Sequence, residues 1–275
     1  MSARVAPRAR FLDLFASEWG KLWSLRSTYL MVPGGAVVVT GLNVQAALAR
    51  YRLVADWSVQ EVAEYNWLID TFAGTPYGLL MLIAGTIGAL TITGEYGTGL
   101  IRTTLVAVPR RAELLAAKAA VLLVVMALTG AVIAGVSFGI CQAIFARRGG
   151  GLSIGDPGVL VGVAGSAAIP AVCALIGLGI GALLRHPAAA LFGVVVVLLL
   201  APEATKGGTY EWVVTVNQAL PLTAWYDLRG APWPHLLGGV DLWGLPPAWV
   251  SGATLAAWSA GAIAVAVLSL HRREV

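Results

Sequence analysis

Six stretches of this chain are continuously apolar for long enough to cross a bilayer, and no other feature narrows its fold as much. A hydrocarbon core about 30 Å thick takes about 20 helical residues to span. Runs of that kind fall at 29–49, 75–94, 119–145, 159–184, 187–202 and 248–270. In lipid a spanning segment must satisfy its own backbone hydrogen bonds, as a helix or as part of a closed barrel. Barrel strands alternate apolar and polar residues, and these runs do not. The reading is all-α: a polytopic transmembrane helix bundle of six spans, one domain over 1–275. The fifth run, centred on Val194 to Leu200, is short, and Arg185 with His186 marks a tight hairpin joining it to the fourth. Pro33 and Pro170 fall inside the first and fourth runs, where neighbouring helices can satisfy the freed carbonyls.

Composition closes off the other classes. Only 12% of residues are charged and 58% are hydrophobic, whereas a soluble domain carries roughly a quarter charged residues. A water-soluble enzyme, a disordered tail and a coiled coil are excluded together. The sequence pI near 9.3 does not indicate nucleic acid, because the basic residues are scattered along the borders of the apolar runs. They indicate topology instead. Twelve of the 18 Lys and Arg fall before span one and after spans two, four and six, which places both termini in the cytoplasm by the positive-inside rule. Met1 to Arg10 leads into a mixed charged and aromatic stretch, unlike a cleavable signal peptide. Cys141 and Cys173 lie in apolar runs and read as small hydrophobes. The expected location is the cell membrane, as a multi-pass protein.

Chemistry-bearing patterns are few. His186, His235 and His271 are isolated from one another and from any metal-ligand spacing, and no nucleophile elbow or phosphate-binding glycine loop occurs. We expect no catalytic residue, metal or bound cofactor in this chain. The first, third, fourth, fifth and sixth runs hold no Asp, Glu or Lys between their ends, which disfavours an ion-coupled carrier. Asn43, Gln45 and Gln142 are the polar exceptions, suited to bonds between helices or to touching a substrate. Pairs of small residues four apart, Gly85 with Ala89, Gly135 with Gly139 and Gly177 with Gly181, suit close helix packing within a bundle or between copies.

Two polar segments stand out at the expected cytoplasmic side. Residues 10–26 place Phe11, Phe15, Trp19, Leu22 and Trp23 on one helical face and Asp13, Ser17 and Lys21 on another, the pattern of an amphipathic helix lying in the membrane interface. The alternative is an ordinary helical extension of span one, with Trp anchoring its end. Residues 95–118 follow span two with Glu95, Arg102, Pro109, Arg110 and Arg111 ahead of a helical pattern through Leu114, Leu115 and Lys118. Seven residues are about two helical turns, so Glu95 and Arg102 would share a face if helical. Such an element can dock on a soluble subunit through charge-assisted contacts, and the same residues suit a solvated positive-inside loop.

The stretches ASEWGKLWSLRSTYL (16–30) and GEYGTGLIRTTLVAVPRR (94–111) resemble motifs of the membrane subunits of ATP-binding-cassette (ABC) type 2 transporters, a permease class that includes many bacterial drug exporters. The resemblance covers under a sixth of the chain, and six spans with both ends inside agree with it. It implies coupling to an ATPase partner through Glu95, Tyr96, Gly99, Arg102, Pro109, Arg110 and Arg111, and an interfacial helix carrying Glu18, Trp19, Lys21, Trp23 and Arg26. It also implies an ABC ATP-binding subunit that holds ATP and Mg, a second permease copy or paralogue, and export of an amphiphilic or drug-like small molecule or lipid. Residues 203–247, with Trp212, Trp225, Trp233 and Trp243, are too polar to span; they form an outer loop, or by the resemblance a re-entrant segment. The alternative reading is a membrane structural or assembly protein, or another integral membrane protein without transport activity.

Overall fold

The computed structural model describes residues 10–24, 26–97, 111–207, 210–230 and 246–272, and every regular element among them is helical. In chain order these are α1 (Phe11–Ser24), α2 (Arg26–Leu53), the short α3 (Val59–Glu64) and α4 (Leu68–Thr71), α5 (Gly74–Gly97), α6 (Arg111–Ala146) and α7 (Val159–Leu184). Then come α8 (Pro187–Val195), a π-helical turn at Val196–Leu200, α9 (Ala201–Thr205), α10 (Glu211–Gln218), α11 (Pro221–Leu228) and α12 (Ala248–Arg272). Six helices are long and apolar enough to cross a membrane, at the six expected places. The fifth span is longer than its apolar run because α8, the π turn and α9 form one rod over Pro187–Thr205. The protein is a multi-pass helical membrane protein.

α7 is the centre of the bundle, with its most extensive contacts to α5, α6 and α12. Its buried face is nearly all-round, from Ile169 to Leu178, as expected for a helix surrounded by other helices. The small-residue pairs explain how α5 reaches it. A Cβ on Gly177 would collide with the Gly85 carbonyl, and one on Gly88 with the Ala174 carbonyl. Gly181 likewise faces Ala89. Two of the three expected pairs therefore form one seam within the chain, with backbones approaching as only small residues allow. Gly135 and Gly139 face open space.

The expected hairpin is present: Arg185 adopts φ 57° and His186 caps α8. The Arg185 guanidinium donates to the Ser269 carbonyl at 2.7 Å and lies 5.0 Å from the Tyr96 ring. This ties together the ends of α5, α7 and α12. Those ends and α1 make up one end of the bundle, here termed proximal. The distal end comprises α3, α4, α10, α11 and the 147–158 connection.

Candidate functional site

At the proximal end α1 packs on α6 and α2. The buried row is Leu14, Glu18 and Leu22, at spacings of four, while Phe11 and Trp19 are exposed. Phe15, Trp19 and Trp23 form a row of neighbouring rings 6.1 and 6.2 Å apart along the helix. Phe15 and Trp23 pack partly against the core, while Phe11 and Trp19 face outward. The inward direction is set by a carboxylate, because Glu18 at 3% exposure has partners waiting.

Those partners form a four-residue ion cluster. Lys118, on the second turn of α6 and 5% exposed, donates to Glu18 Oε2 at 2.5 Å, Glu95 Oε1 at 3.0 Å and the Thr91 carbonyl at 3.1 Å. All three of its N–H groups have acceptors. Lys21 donates to Glu18 Oε1 at 2.6 Å and Glu95 Oε1 at 3.2 Å. Two carboxylates and two ammonium groups balance, which is the condition under which ions can be buried at a membrane border. Burial alone would raise the Glu18 carboxyl, but Lys118 and then Lys21 hold it below its ordinary value. Burial alone would lower Lys21, and Glu18 and Glu95 reverse this. Among the described residues Glu95 Oε2 is buried without a hydrogen-bond partner, and Glu95 accepts there through Oε1 alone.

The cluster brings together Glu18, Lys21 and Glu95, and Tyr96 contacts Arg185 beside it. Trp19 is exposed on α1, and its neighbour Trp23 packs partly against the core. Arg26 and Arg111 open α2 and α6. Gly99, Arg102, Pro109 and Arg110 lie outside the described residues, and so does the shared face of Glu95 and Arg102. Lys118 is the residue that sequence reasoning missed. The available signal was a lysine at the border of the third apolar run, opposite a glutamate ending the second.

The distal end is held differently. Arg229, 4% exposed, donates to the Ile69 carbonyl at 3.1 Å and in a shorter contact to the Phe72 carbonyl. Its guanidinium lies 4.6 Å from the Trp225 ring and 4.3 Å from Tyr226, within cation–π range. Burial pushes its pKa down to about 10, leaving it charged at neutral pH. Asn66 donates in return to the Arg229 and Gly230 carbonyls at 3.1 and 2.9 Å. Trp225 donates to Ser166 on α7 at 2.9 Å and stacks on Tyr77 at 4.6 Å. Two outer segments, 66–73 and 221–230, are thus interlocked above α5 and α7. Gln142 bridges Thr71 at 2.8 Å and the Leu152 N–H at 2.7 Å, and Asn43 donates to Ser137 at 3.1 Å. Asn43 and Gln142 therefore bond to the protein itself, whereas Gln45 is exposed. Trp233 and Trp243 lie outside the described residues.

Among the described residues no three His, Cys, Asp or Glu are placed to hold a metal ion. No family model matches the chain, and no curated protein matches it.

Proposed function

We propose that this chain is the membrane-spanning permease subunit of an ATP-driven exporter of the ABC type 2 kind, powered by a separate ATPase and paired with a second permease copy or paralogue. One observation carries the reading. The two segments that bear the resemblance, 16–30 and 94–111, are far apart in sequence, yet Glu18 and Lys21 of the first meet Glu95 of the second on a shared lysine. A push from a soluble partner on either segment would reach α1, α5 and α6 as one unit, because the cluster joins all three. Termini in the cytoplasm and an interfacial α1 belong to the same reading. The nucleotide and its Mg belong to the partner, and the cargo is amphiphilic or lipid-like.

The test is to purify the chain with the ATPase it assembles with and to compare wild type with Glu95→Gln in proteoliposomes. The expected result is an intact complex that still hydrolyses ATP but has lost at least ten-fold in transport per ATP. Undiminished coupling in the variant overturns the role of the cluster. An isolated chain that hydrolyses ATP, or one that never retains an ATPase, overturns the subunit reading and favours the structural or assembly alternative.

A further inference from the structure

A cavity of about 390 Å³ opens at the distal end between α4, the start of α7 and the end of α11, a volume suited to a small organic ligand. Its apolar walls include Leu68, Leu152, Val159, Val161 and Leu228. Three polar side chains also line it: Asn66, Asp227 and Arg229. Two of them are committed. The Asn66 amide donates to the carbonyls of Arg229 and Gly230 and accepts from the Leu68 N–H at 3.1 Å. The Arg229 guanidinium is held through Nη1 by the Ile69 and Phe72 carbonyls and by two aromatic faces, its Nε buried with no acceptor among the described residues. Asp227 is not: it accepts no hydrogen bond from any described residue, and its Oδ2 is fully buried.

Oδ2 of this carboxylate is sealed from the cavity without a donor, which makes its charge costly, and a cation on the other oxygen lowers that cost. A metal ion would want several oxygen ligands, and here a single carboxylate is offered among apolar walls. An ammonium group attached to an apolar body meets both demands at once, with N–H donors for Asp227 and carbon for the walls. We propose that this cavity binds an amphiphilic organic cation, its ammonium on the Asp227 carboxylate and its apolar part against Val159, Val161 and Leu68. The site is built within one chain and needs neither an ATPase nor a second copy, so it stands apart from the proposed transport function.

The experiment uses the purified full chain in detergent and three small probes of one shape: phenethylammonium, phenethyl alcohol and phenylacetate. Calorimetric titration is expected to show saturable binding of the ammonium, at least ten-fold tighter than either analogue. Asp227→Asn should reduce that affinity at least ten-fold while leaving the weak binding of the alcohol unchanged. Val161→Trp keeps the carboxylate but fills the space, and should also abolish ammonium binding. This second variant keeps the idea falsifiable if Asp227→Asn alters folding. Equal affinity for the three probes, or ammonium binding that survives both substitutions, overturns the proposal.

Discussion

The two ends of the bundle both bury charge, but by opposite means. At the proximal end two lysines meet two glutamates, and every charge has a counter-charge within 3.2 Å. At the distal end Arg229 is received by backbone carbonyls and aromatic faces, while the Asp227 carboxylate two residues earlier has no donor among the described residues. The first arrangement is charge-neutral and centred on one buried lysine, so loss of Lys118 strands both carboxylates. The second spreads one cation over neutral dipoles, so its members can be altered more independently. The proximal end is therefore suited to moving as a block, and the distal end to opening piecewise.

The sharpest way to break this comparison is Lys118→Met. It fills the same space but leaves Glu18 and Glu95 buried beside the single, half-exposed Lys21. We expect a loss of about 3–5 kcal/mol in unfolding free energy, measured by denaturant titration in bicelles. Adding Glu18→Gln should restore a substantial part of it. If the double substitution is no better than the single one, the four residues do not act as a unit. Arg229→Gln comes next, at about 2–3 kcal/mol, since it removes hydrogen bonds from a charged donor and the contacts with Trp225 and Tyr226. A loss there as large as at Lys118 would mean that the distal end is equally cooperative. Asn66→Ala removes two neutral bonds across the same seam and should cost about 1–2 kcal/mol. Hydrogen exchange at 66–73 and 221–230 should then rise together, with the proximal end unchanged.

How far each end was legible in the sequence follows from the same contrast. The six spans were readable because hydropathy and length act locally, residue by residue. The α7–α8 hairpin was readable because Arg185 and His186 interrupt an otherwise apolar stretch. The α5–α7 seam was half readable: the spacing of Gly85, Ala89, Gly177 and Gly181 announced close packing, but whether within or between chains depends on which helices become neighbours. The inward face of α1 was not legible, because a buried Glu18 is intelligible only with Lys118, 100 residues away. The distal interlock went unseen for the same reason. Arg229 makes its bonds to carbonyls, which every residue possesses, so no side-chain pattern could point to Ile69 or Phe72. Residues 98–110, where much of the expected coupling segment falls, lie outside the described residues.

Acid distinguishes the two ends further. Burial raises the Asp227 pKa to about 6 from an ordinary 3.8, so ionised Asp227 carries a penalty at neutral pH that shrinks as pH falls below 6 and is gone only below the ordinary value. Lowering the pH from 7 to 5 should stabilise the distal end by about 1 kcal/mol or less, allowing for partial exposure. Glu18 responds in the opposite sense. Its folded pKa lies below the ordinary 4.5, so its stabilisation is intact above that value and is lost as pH falls through the lowered one. Hydrogen exchange corrected for intrinsic rates should therefore show the distal end tightening between pH 7 and 5 while the proximal end stays constant. The proximal end should loosen only at more acidic pH. Asp227→Asn should remove the first response and leave the second, and one response shared by both ends would mean that the ends do not titrate separately.

The smallest expected effect is at Lys21. It shares both carboxylates with Lys118, but its side chain is 40% exposed against 6% for Lys118. Water and salt screen an exposed ammonium, and holding a long side chain in one geometry offsets part of the attraction. Lys21→Ala should therefore cost about 0.5 kcal/mol or less, and that cost should vanish in high salt, whereas the cost of Lys118→Met should not. Lys118 already satisfies an oxygen on each carboxylate, so removing Lys21 frees Glu18 Oε1 to a solvent-facing side. A loss at Lys21 comparable to that at Lys118 would show that water does not reach this edge of the cluster. The proximal block would then be sealed on both sides, and the α1 surface would be covered in the assembled protein.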